Sequence, residues 1–148
     1  MRVLVAAIAL AAGVAALPGC TLFSYGQFDP LSSGRAFDDA QRRFNRLVRW
    51  GQWEKAAELV ASDQRQAFLD LGRVIADVRF TDWDVTVLEM GENFETAHLE
   101  VRIEGYRPTT LTQHEVVMVQ AWERLDGVSS TWVVRPRLEE LRLAFAGR

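Results

Sequence analysis

The apolar pattern of this 148-residue chain changes period near residue 78, from helical to alternating. That change constrains the fold more than any motif does, because the two periods cannot share one element. Before it, Phe37, Ala40, Phe44, Leu47 and Val48 form one apolar stripe, while Arg42, Arg43, Arg46 and Arg49 occupy much of the other side. This spacing predicts a helix over about 35–50, stopped by Gly51. Ala56, Ala57 and Val60 predict a short helix over about 53–61. Ser62 or Asp63 is placed to cap a third helix, whose apolar set is Phe68, Leu71, Gly72 and Ile75. After the change, Val78, Phe80, Val85 and Val87 predict a long bent strand, with Asp82-Trp83-Asp84 at the bend. Ala97, Leu99, Val101 and Ile103 alternate with polar residues in a second strand. A third is expected over about 111–124, a hairpin turn at Leu125-Asp126-Gly127-Val128, a fourth strand over about 130–135, and a terminal helix over about 138–145.

Helices followed by consecutive strands with tight turns specify an α+β fold, with N-terminal helices packed on a curved four-stranded antiparallel meander in a cone-like roll. The length fits one domain, expected over residues 35–148. The element order over residues 35–137 resembles the nuclear transport factor 2-like superfamily, which includes ketosteroid isomerases, polyketide cyclases and many non-catalytic modules. A cystatin-like helix-plus-sheet layout fits nearly as well. The resemblance implies a cone whose inward aromatics either fill the core or line a cavity at its open end. Residues 51–59 are similar to the first helix of a tetratricopeptide unit, but no second copy follows, and a solenoid needs about three stacked repeats.

The first twenty residues speak to destination. Arg2 precedes an apolar run over 3–17, and the chain then reads Leu17-Pro18-Gly19-Cys20. A basic residue, an apolar segment and a small residue before a cut make a secretory signal. With the cysteine directly after, the segment resembles the lipobox of bacterial lipoproteins, although Pro18 stands where that family usually has Ala or Ser. The resemblance implies a signal peptide over 1–19, lipidation of Cys20, and a membrane anchor of acyl chains. Thr21, where inner-membrane lipoproteins tend to carry aspartate, implies the periplasmic face of the outer membrane. The alternative is an uncut anchor, since residues 3–28 carry no charge and about 20 apolar residues span a bilayer. Pro18, Gly19 and Gln27 interrupt that segment. Both readings place everything after residue 30 across the inner membrane. Residues 21–34 read as a tether.

Composition removes further classes. With 17 basic against 20 acidic side chains the net charge is −3, which argues against nucleic-acid binding. One cysteine excludes an internal disulfide and any multi-cysteine zinc site. The His114-Glu115 pair lacks the second histidine that a helical zinc-protease motif requires at position 118, which is Met. His98 reads as an exposed strand histidine, and Asp82 with Asp84 as solvated turn residues. No nucleophile elbow, phosphate loop or dinucleotide fingerprint occurs, so no cofactor, metal or catalytic residue is expected. Two main readings remain open. One is a non-catalytic envelope module that contacts a protein partner through Trp50, Trp53 and neighbouring arginines, because Trp and Arg concentrate at binding hot spots; these tryptophans equally suit packing between the first two helices. The other is a small-ligand or isomerase/dehydratase-like domain whose cavity is lined by Tyr106, His114 and Trp122. A third, weaker reading is an acyl-chain carrier, which requires a continuous apolar cavity without polar groups at its floor.

Overall fold

The computed structural model describes residues 30–125 and 131–146, with side chains from residue 34 onward. Cys20, the signal segment, residues 21–29 and the turn at 126–128 lie outside the described residues. The order is α1 (Pro30–Arg49), α2 (Trp53–Ala57), α3 (Arg65–Val74), β1 (Arg79–Met90), β2 (Thr96–Tyr106), β3 (Gln113–Arg124), β4 (Trp132–Pro136) and α4 (Leu138–Leu141), which runs into a π-helical turn, Arg142–Ala146. The strands form one antiparallel sheet in the order β1-β2-β3-β4, open at both edges as a meander. This is the expected α+β layout.

Helix α1 starts earlier than its apolar stripe predicts, so residues 30–34 of the expected tether are helical. Pro30 suits the first helical position, where its fixed φ fits and its missing N–H costs nothing. At the other end Gly51, at φ +67°, adopts the left-handed conformation that glycine takes without steric cost. Gly51 N–H donates to the Val48 carbonyl at 2.9 Å and Gln52 N–H to the Leu47 carbonyl at 2.8 Å. This paired closure satisfies two orphan carbonyls and ends α1 with a reversal that leaves Trp50 pointing outward. The expected Ser62 or Asp63 cap is absent. Helix α3 is preceded by Gln64, with no side-chain cap, and the Asp63 carboxylate is instead engaged by Arg135.

Sheet and helices share one core. Leu99, Val101 and Ile103 from β2, Met118 and Trp122 from β3, and Val134 from β4 are buried beneath Phe37, Phe44 and Val48 of α1. Trp122 meets Phe37 and Phe44 edge-on, with centroids 5.9 and 5.7 Å away, a favoured arrangement of ring quadrupoles. Inside this apolar core runs a chain of amides. Trp122 Nε1–H donates to Gln120 Oε1 at 3.0 Å, Gln120 Nε2–H to Asn45 Oδ1 at 2.7 Å, and Asn45 Nδ2–H to Gln41 Oε1 at 3.3 Å. All are buried, Gln120 completely. Polar groups at this depth demand partners, and each member here is the partner of the next.

The two edges of the sheet differ. On β4, Val134 N–H donates to the Leu59 carbonyl at 2.8 Å and its carbonyl accepts from Ala61 N–H at 3.0 Å, so the α2–α3 connection adds a parallel bridge along the edge. Arg135 fixes that connection to the sheet through Asp63 and Glu123. No corresponding segment lies along β1 among the described residues. At the far end, Arg107 ties three elements together, donating to Asp77 at 2.7 Å, to the Val74 carbonyl at 3.0 Å and to the Phe145 carbonyl at 2.8 Å.

Asn45→Ala removes the middle of the amide chain and strands Gln120 Nε2–H and Gln41 Oε1. We expect it to lower unfolding free energy by about 1–3 kcal/mol in denaturant titration. The Arg135 guanidinium beside Asp63 holds its carboxyl below the usual carboxylate range. Its contribution is therefore complete above about pH 4 and lost as pH falls through the lowered folded value. Asp63→Asn is expected to remove that part of the acid destabilisation, visible in thermal melts between about pH 2 and pH 6; the pair is exposed, so the effect is small.

Candidate functional site

The inner face of β1 is uncovered. Trp83, Val85 and Val87 pair with Ile103, Val101 and Leu99, and directly opposed residues share a face. The three β2 residues are fully buried, yet Trp83 and Val85 are only half-buried and Val87 is 49% exposed. The cause is the placement of α1, whose backbone comes closest to α2, to the turn at Glu92–Phe94 and to β4. Between α1 and β1 lies a groove of about 560 Å³, with Trp83, Val85, Gln41 and Asn45 in its lining and Trp50 at one end.

Its helical wall is basic. Arg42, Arg46 and Arg49 follow at i, i+4 and i+7, so they stand one above another on the side of α1 that faces the groove. Arg49 donates to the Thr81 carbonyl at 3.3 Å, which bridges the wall to β1. Among the described residues Arg42 and Arg46 have no carboxylate partner, in contrast to Arg43, which pairs with Glu58 at 3.3 Å. A second depression of about 380 Å³ continues past Arg49 and Trp50 toward Arg79 and Phe80. The Trp83 indole N–H is buried and has no acceptor among the described residues. Cationic side chains over an aromatic and aliphatic floor suit an anionic ligand that also carries apolar surface.

The two tryptophans expected at a partner surface separate. Trp50 is 70% exposed and belongs to the groove. Trp53 is 6% exposed and corrects the expectation, because it packs on Phe68 at 5.3 Å between ring centroids and lies flat over Gly72. A Cβ on Gly72 would stand 2.5 Å from Trp53 Cγ, so the glycine is what admits the indole. The three expected cavity residues are also dispersed. Trp122 fills the core instead of lining a cavity. Tyr106 lies opposite Gln113 and next to buried Gly105, which puts it on the outer face. His114 lies opposite Gly105 at the exposed end of the inner face, edge-on to Phe145 at 5.9 Å. No pair of these converges on one space.

Asp82 and Asp84 are exposed, alternating with inward Trp83. His98 is exposed, 3.7 Å from Glu89. No cluster of three metal-ligating side chains occurs among the described residues. Trp83, Val85, Gln41 and Asn45 escaped sequence reasoning as site residues. The arginine stripe was visible at helical spacing, but which element it would face was not. No family model, no curated protein and no solved structure matches this chain.

Trp53→Ala is expected to cost about 3–5 kcal/mol of stability, as for other large buried aromatics. Trp50→Ala is expected to change stability by no more than about 0.5 kcal/mol. Parallel denaturation curves of the two variants check this contrast.

Proposed function

We propose that this chain is an exported, lipid-anchored envelope lipoprotein whose α+β domain is a non-catalytic module for binding a protein partner. The observation that carries the binding reading is the groove between α1 and β1, where Arg42 and Arg46, without a carboxylate partner among the described residues, rim an open aromatic floor and Trp50 is exposed beside them. Arginine and tryptophan are the side chains most enriched where binding energy concentrates. Exposed arginines grouped along one groove, in a chain of net negative charge, suit contact with an acidic surface. The scatter of Tyr106, His114, Asp82 and Asp84 over both faces of the sheet favours binding over acid/base chemistry, which needs groups within hydrogen-bond reach of one reacting atom.

Anchoring rests on the lipobox-like Leu17-Pro18-Gly19-Cys20. Two or more acyl chains hold a protein firmly at a membrane surface, each buried methylene adding about 0.8 kcal/mol. Residue 21, being Thr, favours the periplasmic face of the outer membrane. Anchoring confines the domain to a thin layer, so a weak groove suffices for a partner in the same layer through effective concentration.

Two measurements test the two halves. Mass spectrometry of the full chain extracted from its own envelope is expected to show loss of residues 1–19 and acyl chains on Cys20; an intact Met1 end overturns the anchor. A photoreactive benzoylphenylalanine replacing Trp50 in living cells is expected to give a discrete protein adduct, lost on Arg46→Glu. No adduct, or one indifferent to that charge reversal, overturns the groove as the partner surface.

A further inference from the structure

We infer that the partner contributes an extended acidic segment, which adds as a fifth strand to the free edge of β1 and lays its inward side chains into the arginine groove. This deepens the binding reading just given and rests on it. The sheet has two edges, and the fold treats them differently. The β4 edge is five residues long and is bridged by residues 59–61. The β1 edge belongs to a twelve-residue strand. Apart from the Thr81 carbonyl, no backbone group from Thr81 to Leu88 bonds outside the β1–β2 ladder among the described residues. An exposed strand edge is a row of unpaired donors and acceptors, and pairing with a partner strand is the usual way such edges are used.

Register shifts at Phe80/Asp82 and Val87/Glu89 bracket the edge. Bulges at both ends limit pairing, and they leave a regular run from Asp82 to Val87 between them. That run is about 20 Å long at strand rise. An added strand would lie about 4.8 Å from β1, with alternate side chains beside Trp83 and Val85 and beneath Arg42, Arg46 and Arg49. Those positions favour apolar side chains alternating with carboxylates, to match Trp83 and Val85 below and the arginines above. The other positions face outward beside Asp82 and Asp84, where neutral polar residues fit and carboxylates are repelled.

A second copy of this chain does not fit the same edge. Antiparallel pairing of β1 with β1 centred on Asp84 opposes the two Asp84 carboxylates, and every register that keeps the inner faces together brings one arginine stripe toward another; like charges brought together destabilise a sheet. Charge complementarity therefore selects a different chain with acidic residues on one face.

The test uses the full chain in detergent micelles and a capped eight-residue peptide reading glutamate, threonine, valine, threonine, twice over. A second peptide of the same composition groups like residues and breaks the alternation. Hydrogen-exchange mass spectrometry is expected to show alternate amides over residues 82–87 exchanging at least ten-fold more slowly with the alternating peptide. The scrambled peptide is expected to protect none of them. Arg42→Glu with Arg46→Glu is expected to weaken the alternating peptide at least ten-fold, and both sites are exposed, so folding is retained. Equal binding of the two peptides, binding without protection over 82–87, protection present before any peptide is added, or peptide-independent dimers overturn the inference. If the Trp50 adduct forms in cells while the alternating peptide leaves β1 unprotected, strand addition falls and the groove reading stands. If the adduct is also absent, both fall.

Discussion

The amide chain Gln41–Asn45–Gln120–Trp122 is the constraint on which the rest of this structure depends. Apolar packing alone tolerates a helix sliding or rotating over a sheet, because dispersion is nearly indifferent to direction. Hydrogen bonds are not, since they weaken steeply with distance and angle. Asn45 Oδ1 at 2.7 Å from Gln120 Nε2 ties α1 to β3 at one rotation. With residues 41 and 45 fixed above β3, the positions one residue further on, 42 and 46, are turned by one helical step toward β1. The orientation of the arginine wall is thus a consequence of a buried hydrogen bond between Asn45 and Gln120.

The same placement explains why Trp122, expected to line a cavity, is packed into the core instead. Phe37, Phe44, Trp122 and Trp132 occupy the space between α1 and the β3–β4 side of the sheet. With α1 drawn to that side, the uncovered apolar surface appears at the opposite edge. What opens there is a groove flanked by helix and strand. The chain closes its β4 edge with its own backbone and leaves β1 to bulges and charge. Among the described residues, one edge is bridged by the chain's own backbone and the other is not.

Much of the fold was legible because it rests on local rules. The arginines and apolar residues of α1 follow the helical period, Gly51 ends it for a steric reason, and β2 alternates so strictly that its buried face can be read residue by residue. Other positions misled because their fate depends on residues far away in the chain. Trp50 and Trp53 are three residues apart with similar local surroundings. The reversal at Gly51 sends one to solvent, and Gly72, nineteen residues beyond Trp53, admits the other to the core. Asp63 resembles a helix cap until Arg135 engages its carboxylate.

The sequence by itself determined the α+β order, the meander and the charge of α1, all from period and turn residues. Only the tertiary structure decided which aromatics are buried, that Tyr106 and His114 lie on opposite faces, and that Arg42, Arg46 and Arg49 share a groove with Trp83. The reason is physical. Period and capping are properties of neighbouring residues, whereas a site is a meeting of residues such as Asn45 and Gln120, seventy-five positions apart. Loop closure and packing bring them together, and local propensity does not encode that meeting.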